Sequence, residues 1–112
     1  MLLLTHKDRQ ILRSKAGVFL HPFVQYVSEN LQLKNMDTQG EKIFAHAAEN
    51  YPCAIETVLE LLTLEYRPDK KLLLLQLVEV YTPHEGRERI IASFYSRFDR
   101  EKAERILQVP HK

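Results

Sequence analysis

From Leu72 to Tyr81 only Gln76 and Glu79 interrupt a run of apolar side chains. A helix that is apolar on nearly every side has no face to give to water, so other parts of the fold must cover it. At 112 residues the chain has the size of one domain of roughly 100–200 residues, and its own neighbouring helices are the expected cover. The run falls well short of the ~20 residues that cross a bilayer. Left open, it would form the kind of large apolar patch that monomers rarely carry. Composition agrees: 45% hydrophobic and 28% charged residues is an ordinary globular mixture, and three Gly with five Pro are few for the turns of an all-β fold.

Capping residues place the helices around that run. Thr38-Gln39-Gly40-Glu41 reads as a capping box, the Thr hydroxyl accepting from the N3 amide and the Glu carboxylate reaching back. Ile43, Phe44, Ala47 and Ala48 follow on one face, and Asn50 is the expected stop. Pro52 suits a first helical position, where a missing N–H costs nothing. Behind it, Ile55, Val58, Leu59 and Leu62 have the spacing of a buried stripe. Pro68-Asp69 breaks that helix and opens the next. Thr82-Pro83-His84-Glu85 reads as a second capping box, ahead of a stripe of Ile90, Ile91, Phe94, Tyr95 and Phe98. Asp99 caps a short last helix carrying Ala103, Ile106 and Leu107.

In the N-terminal third, Leu12, Ala16, Phe19, Leu20, Phe23, Val27 and Leu31 keep helical spacing across Gly17 and Pro22. This third reads as one long or two short helices; a Pro inside a continuing stripe predicts a kink, and the preferred reading is a bent first helix over about residues 6–31. Helix starts at Pro52, Pro68, Pro83 and Asp99 are 16, 15 and 16 residues apart. That rhythm suits a helical-repeat solenoid or a bundle with short connections. Residues 52–82 and 83–112 share almost no side chains, so the bundle is the preferred reading. The expected fold is all-α, a compact six-helix antiparallel bundle with a kinked first helix. Residues 1–112 form a single helical domain in this reading, with a core over about 6–98 and an extra short helix over 99–108.

The start, Met1-Leu2-Leu3-Leu4, runs into polar Thr5-His6-Lys7-Asp8-Arg9 and is shorter than the roughly 7–15 apolar residues of a secretory signal core. One Cys excludes a disulfide framework. Both observations lead to the expectation of a soluble protein of the cytoplasm. Gly-rich phosphate loops, nucleophile elbows and zinc-helix motifs are absent from the sequence. His46 and Glu49 share a helix face at the spacing of a di-metal bundle, but such sites need Glu-x-x-His twice with two further Glu, and here the order is reversed and single. A half-buried His beside a local acidic neighbour is the preferred reading. Cys53, just after Pro52, would be reactive at a helix N-terminus; a small buried residue is preferred. The sequence therefore predicts no catalytic residue, cofactor, metal or small-molecule ligand.

The net charge of +1 hides a segregation. Residues 1–36 carry +3, residues 37–66 carry −5 and residues 67–112 carry +3. A basic first helix and an acidic middle suit pairing between copies, which steers encounter and fixes register more than it adds affinity. Two different patches make a head-to-tail contact. A nucleic-acid role would use Lys7, Arg9, Arg13 and Lys15, or Arg97, Arg100, Lys102 and Arg105, along phosphates. It ranks lower because Asp8, Asp99, Glu101 and Glu104 interleave with them.

Ile11-Leu12-Arg13 through Phe23-Val24-Gln25-Tyr26-Val27 resembles the broken first helix of the caspase recruitment domain, a branch of the death-fold superfamily. Met36-Asp37-Thr38-Gln39-Gly40-Glu41-Lys42-Ile43 is similar to that family's third-helix entry. Val58-Leu59-Glu60-Leu61-Leu62 resembles its fourth helix, and Leu75-Gln76-Leu77-Val78-Glu79-Val80-Tyr81 before Pro83 its fifth. The resemblance covers about residues 8–92. It implies a non-enzymatic adaptor that assembles with like domains in signalling complexes. It further implies Arg9, Arg13 and Lys15 as a basic protein-binding side, and Asp37, Glu41 and Glu49 as the acidic side. The expected partner is thus a protein, including a second copy, with no membrane contact. The alternative is a helical bundle or repeat protein that binds an unrelated protein, followed by a nucleic-acid-binding regulator.

Overall fold

The computed structural model describes residues 19–109. Among them the protein is all-α, with six α-helices and no strand. The chain divides into two compact units, Met1–Tyr51 and Pro52–Lys112. The part of the expected first helix before residue 19, with Arg9, Arg13 and Lys15, lies outside the described residues.

In the first unit, α1 spans Pro22–Asn30. His21 is extended, with ψ 123°, so Pro22 opens the helix as its first residue instead of kinking one that continues through it. A 3₁₀ turn, Leu33–Asn35, leads into α2, Met36–Asn50. The expected capping box does not form. Asn35 already turns the backbone, its N–H meeting Gln32 O at 2.8 Å, and Met36 is buried one turn ahead of the expected start. Thr38 therefore sits within the first turn and donates to Asn35 O at 3.2 Å. α1 packs on α2 through Phe23, Val24, Val27, Phe44 and Ala47, all buried. The Phe23 and Phe44 rings meet edge to face, 6.0 Å apart, one of the favoured aromatic geometries.

The second unit begins in extended chain. Pro52 lies three residues ahead of α3, Ile55–Leu61, and is not its first residue. Thr57 decides the start: its hydroxyl accepts the Ala54 N–H at 3.0 Å, the returning half of a capping box, which Ala54 cannot reciprocate. A 3₁₀ turn, Leu62–Leu64, ends the helix. Ile55, Val58, Leu61 and Leu62 are buried. The link to α4 is organised by Glu65, only 5% exposed. Its carboxylate accepts the Tyr66 and Arg67 N–H groups at 3.0 and 3.1 Å and both arms of the Arg67 guanidinium at 3.2 and 3.1 Å. The Arg67 side chain holds the Glu65 carboxyl below its ordinary range.

Pro68 then opens α4, Pro68–Val78, as expected. Leu72, Leu74, Leu75 and Val78 are buried, and α3 and α6 (Arg97–Leu107) pack on this helix within the unit. The apolar run does not stay covered to its end. The chain tightens into a 3₁₀ turn over Glu79–Tyr81, which turns Val80 out to solvent.

The second expected capping box is also replaced. Thr82 closes the helix behind it, its hydroxyl donating to Val78 O at 2.8 Å. α5, Arg87–Ala92, starts from Gly86, whose φ of 94° is left-handed. A Cβ there would meet Ile55 Cγ1 at 3.0 Å, so this turn also requires Gly for the close approach of α3. Ile90, Ile91 and Phe94 are buried as expected, but the helix stops at Ala92 and the stripe is cut. Tyr95 is 98% exposed and Phe98 is 64% exposed. Ser96, not Asp99, caps α6: its Oγ accepts the Asp99 N–H at 3.1 Å and donates to Asp99 Oδ2 at 2.7 Å. With eleven residues and buried Ala103 and Leu107, α6 belongs to the core of its unit.

Arg87 fastens the ends of α4 and α6. Its side chain is 4% exposed, and each guanidinium nitrogen has a partner. Nε donates to Pro83 O at 2.9 Å, Nη1 to Leu107 O at 2.6 Å and Nη2 to Thr82 O at 2.8 Å. Nη2 also pairs with Glu79 Oε2 at 3.2 Å. Carbonyls left open at helix C-termini thus share one cation. Arg87→Met should destabilise the fold by about 3 kcal/mol, because it strips charge-assisted partners from buried carbonyls. Arg87→Lys should recover less than half, since an ammonium lacks the planar fork. Urea unfolding followed by circular dichroism checks both, and a loss below about 0.5 kcal/mol for Arg87→Met, the scatter of ordinary surface changes, would refute the role.

Candidate protein-interaction surface

The acidic residues named by the resemblance lie on one helix. Asp37, Glu41 and Glu49 are all exposed on α2. Helical geometry sets them within a third of a turn of one another around the axis, over about 18 Å. Among the described residues no cation pairs with any of the three within salt-bridge distance. Ala45 and Ala48 are half-buried and continue the row that Asp37 and Glu41 begin. The structure therefore brings the acidic side together, while the basic side, Arg9, Arg13 and Lys15, lies outside the described residues.

His46 is exposed, not half-buried as expected. Its ring stacks on Tyr26 with centroids 5.2 Å apart and planes 29° apart. Among the described residues no three His, Cys, Asp or Glu side chains converge on a point where a metal could sit. Cys53 is half-buried in extended chain, directly ahead of the Ala54 N-cap of α3. Burial pushes its thiol up to about 11, opposite to the shift that activates a thiol.

The basic residues of α6 do not form one stripe. Arg97 pairs with Glu101 at 3.4 Å, and Arg100 Nε donates to Phe94 O at 2.8 Å. Lys102 and Arg105 instead line an open groove of about 500 Å³ between α4 and α6. Leu72, Leu73 and Ile106 give it an apolar lining, with Asp69 and Gln76 on the α4 side. The Lys102 ammonium also lies 4.3 Å from the centre of the exposed Phe98 ring, a cation–π contact that joins this aromatic to the groove's rim. Among the described residues neither Lys102 nor Arg105 has a carboxylate partner. The sequence singles out both cations as phosphate contacts but gives no groove, because its two walls lie about thirty residues apart along the chain.

No helix among the described residues is long and apolar enough to cross a membrane. Comparison of the chain with family models, with curated proteins and with solved structures finds no match in any of the three.

The Cys53 environment makes a prediction with a definite sign. A raised thiol pKa means that the folded chain keeps the proton after the unfolded chain has lost it. Alkylation by iodoacetamide should rise about tenfold per pH unit across the alkaline range without levelling before about pH 11. Stability should fall as pH rises between about 9, the ordinary thiol value, and 11. A rate that levels near pH 9 would contradict the burial effect.

Proposed function

We propose that the chain is a non-enzymatic protein-interaction module of the cytoplasm, an adaptor that joins copies of itself through charge-complementary contacts. The acidic face of α2 carries this reading. Asp37, Glu41 and Glu49 stand exposed on one side of one helix without a cation among the described residues, in a chain whose overall charge is +1. A surface of unpaired like charge contributes little to its own fold but steers an oppositely charged partner and sets its register. The resemblance to caspase recruitment domains supports the same reading, with the cations of the first 36 residues as the complementary side. Fold alone does not assign function; the charged faces are what a partner would read.

Static light scattering across a concentration and salt series tests the reading. The expected result is self-association that weakens as salt rises from about 50 to about 500 mM, where the screening length shrinks to a few ångströms. Arg13→Glu should abolish it if the first helix supplies the basic side. A monomer at every concentration and ionic strength overturns the proposal. Retention on a DNA or RNA column at about 150 mM salt would favour the nucleic-acid alternative instead.

A further inference from the structure

We propose that the α4–α6 groove receives the Asp37–Glu41–Ala45–Ala48 row of α2 from a second copy of this chain. The inference rests on the self-association reading and assigns its basic side to residues within the second unit.

The groove's chemistry selects its occupant. Leu72, Leu73 and Ile106 offer an apolar surface, and Lys102 and Arg105 supply two cations with no carboxylate partner among the described residues. The ligand must therefore combine small apolar groups with anions. α2 presents that combination in one row. Asp37 and Glu41 are four residues apart, about 6 Å along the helix, and Lys102 and Arg105 are three apart, about 4.5 Å along theirs. The next two members of the row, Ala45 and Ala48, have side chains small enough to bring a helix close to the leucines. Asp69 stands on the opposite wall from the cations, so an acidic row is drawn to the α6 side. The α4 lining spans about two helical turns and the row about three, so one end of the row extends past the lining, and this small interface sets the contact in the weak and reversible class.

Reciprocal charge reversal tests the assignment. Sedimentation velocity at low salt is run on the full chain and on two double variants, Lys102→Glu/Arg105→Glu and Asp37→Lys/Glu41→Lys. Far-UV circular dichroism confirms that each remains helical, and Arg105→Glu alone serves if the first double variant does not fold. Each double variant by itself sets like charge against like charge and should be monomeric. An equimolar mixture restores opposite charges at both contacts and should recover the association of the wild-type chain. Ala48→Arg, which adds bulk and positive charge to the row, should weaken self-association at least tenfold. Groove variants that associate like wild type while Arg13→Glu dissociates would overturn the groove and leave the adaptor reading standing. A wild-type chain that stays monomeric overturns both. Two variants that are each monomeric yet fail to recover association on mixing overturn the pairing of these two faces.

Discussion

Arg87 is the point at which the second unit closes on itself. Every helix ends with carbonyl oxygens that its own ladder leaves open, and a helix that ends inside a fold must find donors for them. α4, with its 3₁₀ extension, and α6 both end beside this one side chain, which reaches Thr82, Pro83 and Leu107 carbonyls and the Glu79 carboxylate. A guanidinium suits the task because its donors are fixed in one plane and it never loses its charge. Glu79 supplies the counter-charge, so the buried cation is not left unpaired. Gly86, immediately before it, lets α5 start against Ile55 and so sets the direction from which Arg87 enters.

How much of this could be read in the sequence depended on how local each cause is. Pro68 begins α4 because a proline's effect is confined to its own residue and the one before. The leucine-rich run is core because covering it is the only way to keep it from water, and Leu74, Leu75 and Val78 are fully buried. The two Thr-Glu capping boxes failed for a different reason. A threonine hydroxyl can serve either the helix ahead or the helix behind, and Thr38 and Thr82 both bond backward, to Asn35 and Val78. Thr57 carries no capping-box signature in the sequence, because its half of the box needs no acceptor at the cap position. The stripe from Ile90 to Phe98 shows the limit of periodicity. Residues 90, 91 and 94 keep their place, but the turn capped by Ser96 rotates the chain and leaves Tyr95 and Phe98 outside.

The candidate surface divides along the same line. Asp37, Glu41 and Glu49, which the resemblance alone implied as one acidic side, lie on one helix and within a third of a turn of one another. Lys102 and Arg105 stood out in the sequence only as members of a basic series on α6. Their separation from Arg97 and Arg100 comes from the partners of those two, the interleaved Glu101 and the Phe94 carbonyl, of which only the carbonyl lies off the charge pattern. The groove itself depends on the packing of α4 against α6, a contact between segments about thirty residues apart, which no pattern within either helix can report.

The clamp and the groove are parts of one construction. The helices that wall the groove are the two whose C-terminal ends Arg87 joins, through the Thr82 and Leu107 carbonyls. That arrangement matters for a weak contact in particular. An interface of about two helical turns has little binding energy to spend on ordering its own walls, so affinity has to come from a groove already held in shape before the partner arrives. A contact between two unlike faces also leaves one acidic row and one groove open after each joining, the condition under which subunits add head to tail without closing. In an assembly of the proposed kind each addition would bury the same small area and neutralise the same few charges, so its length would follow concentration and ionic strength rather than a fixed stoichiometry.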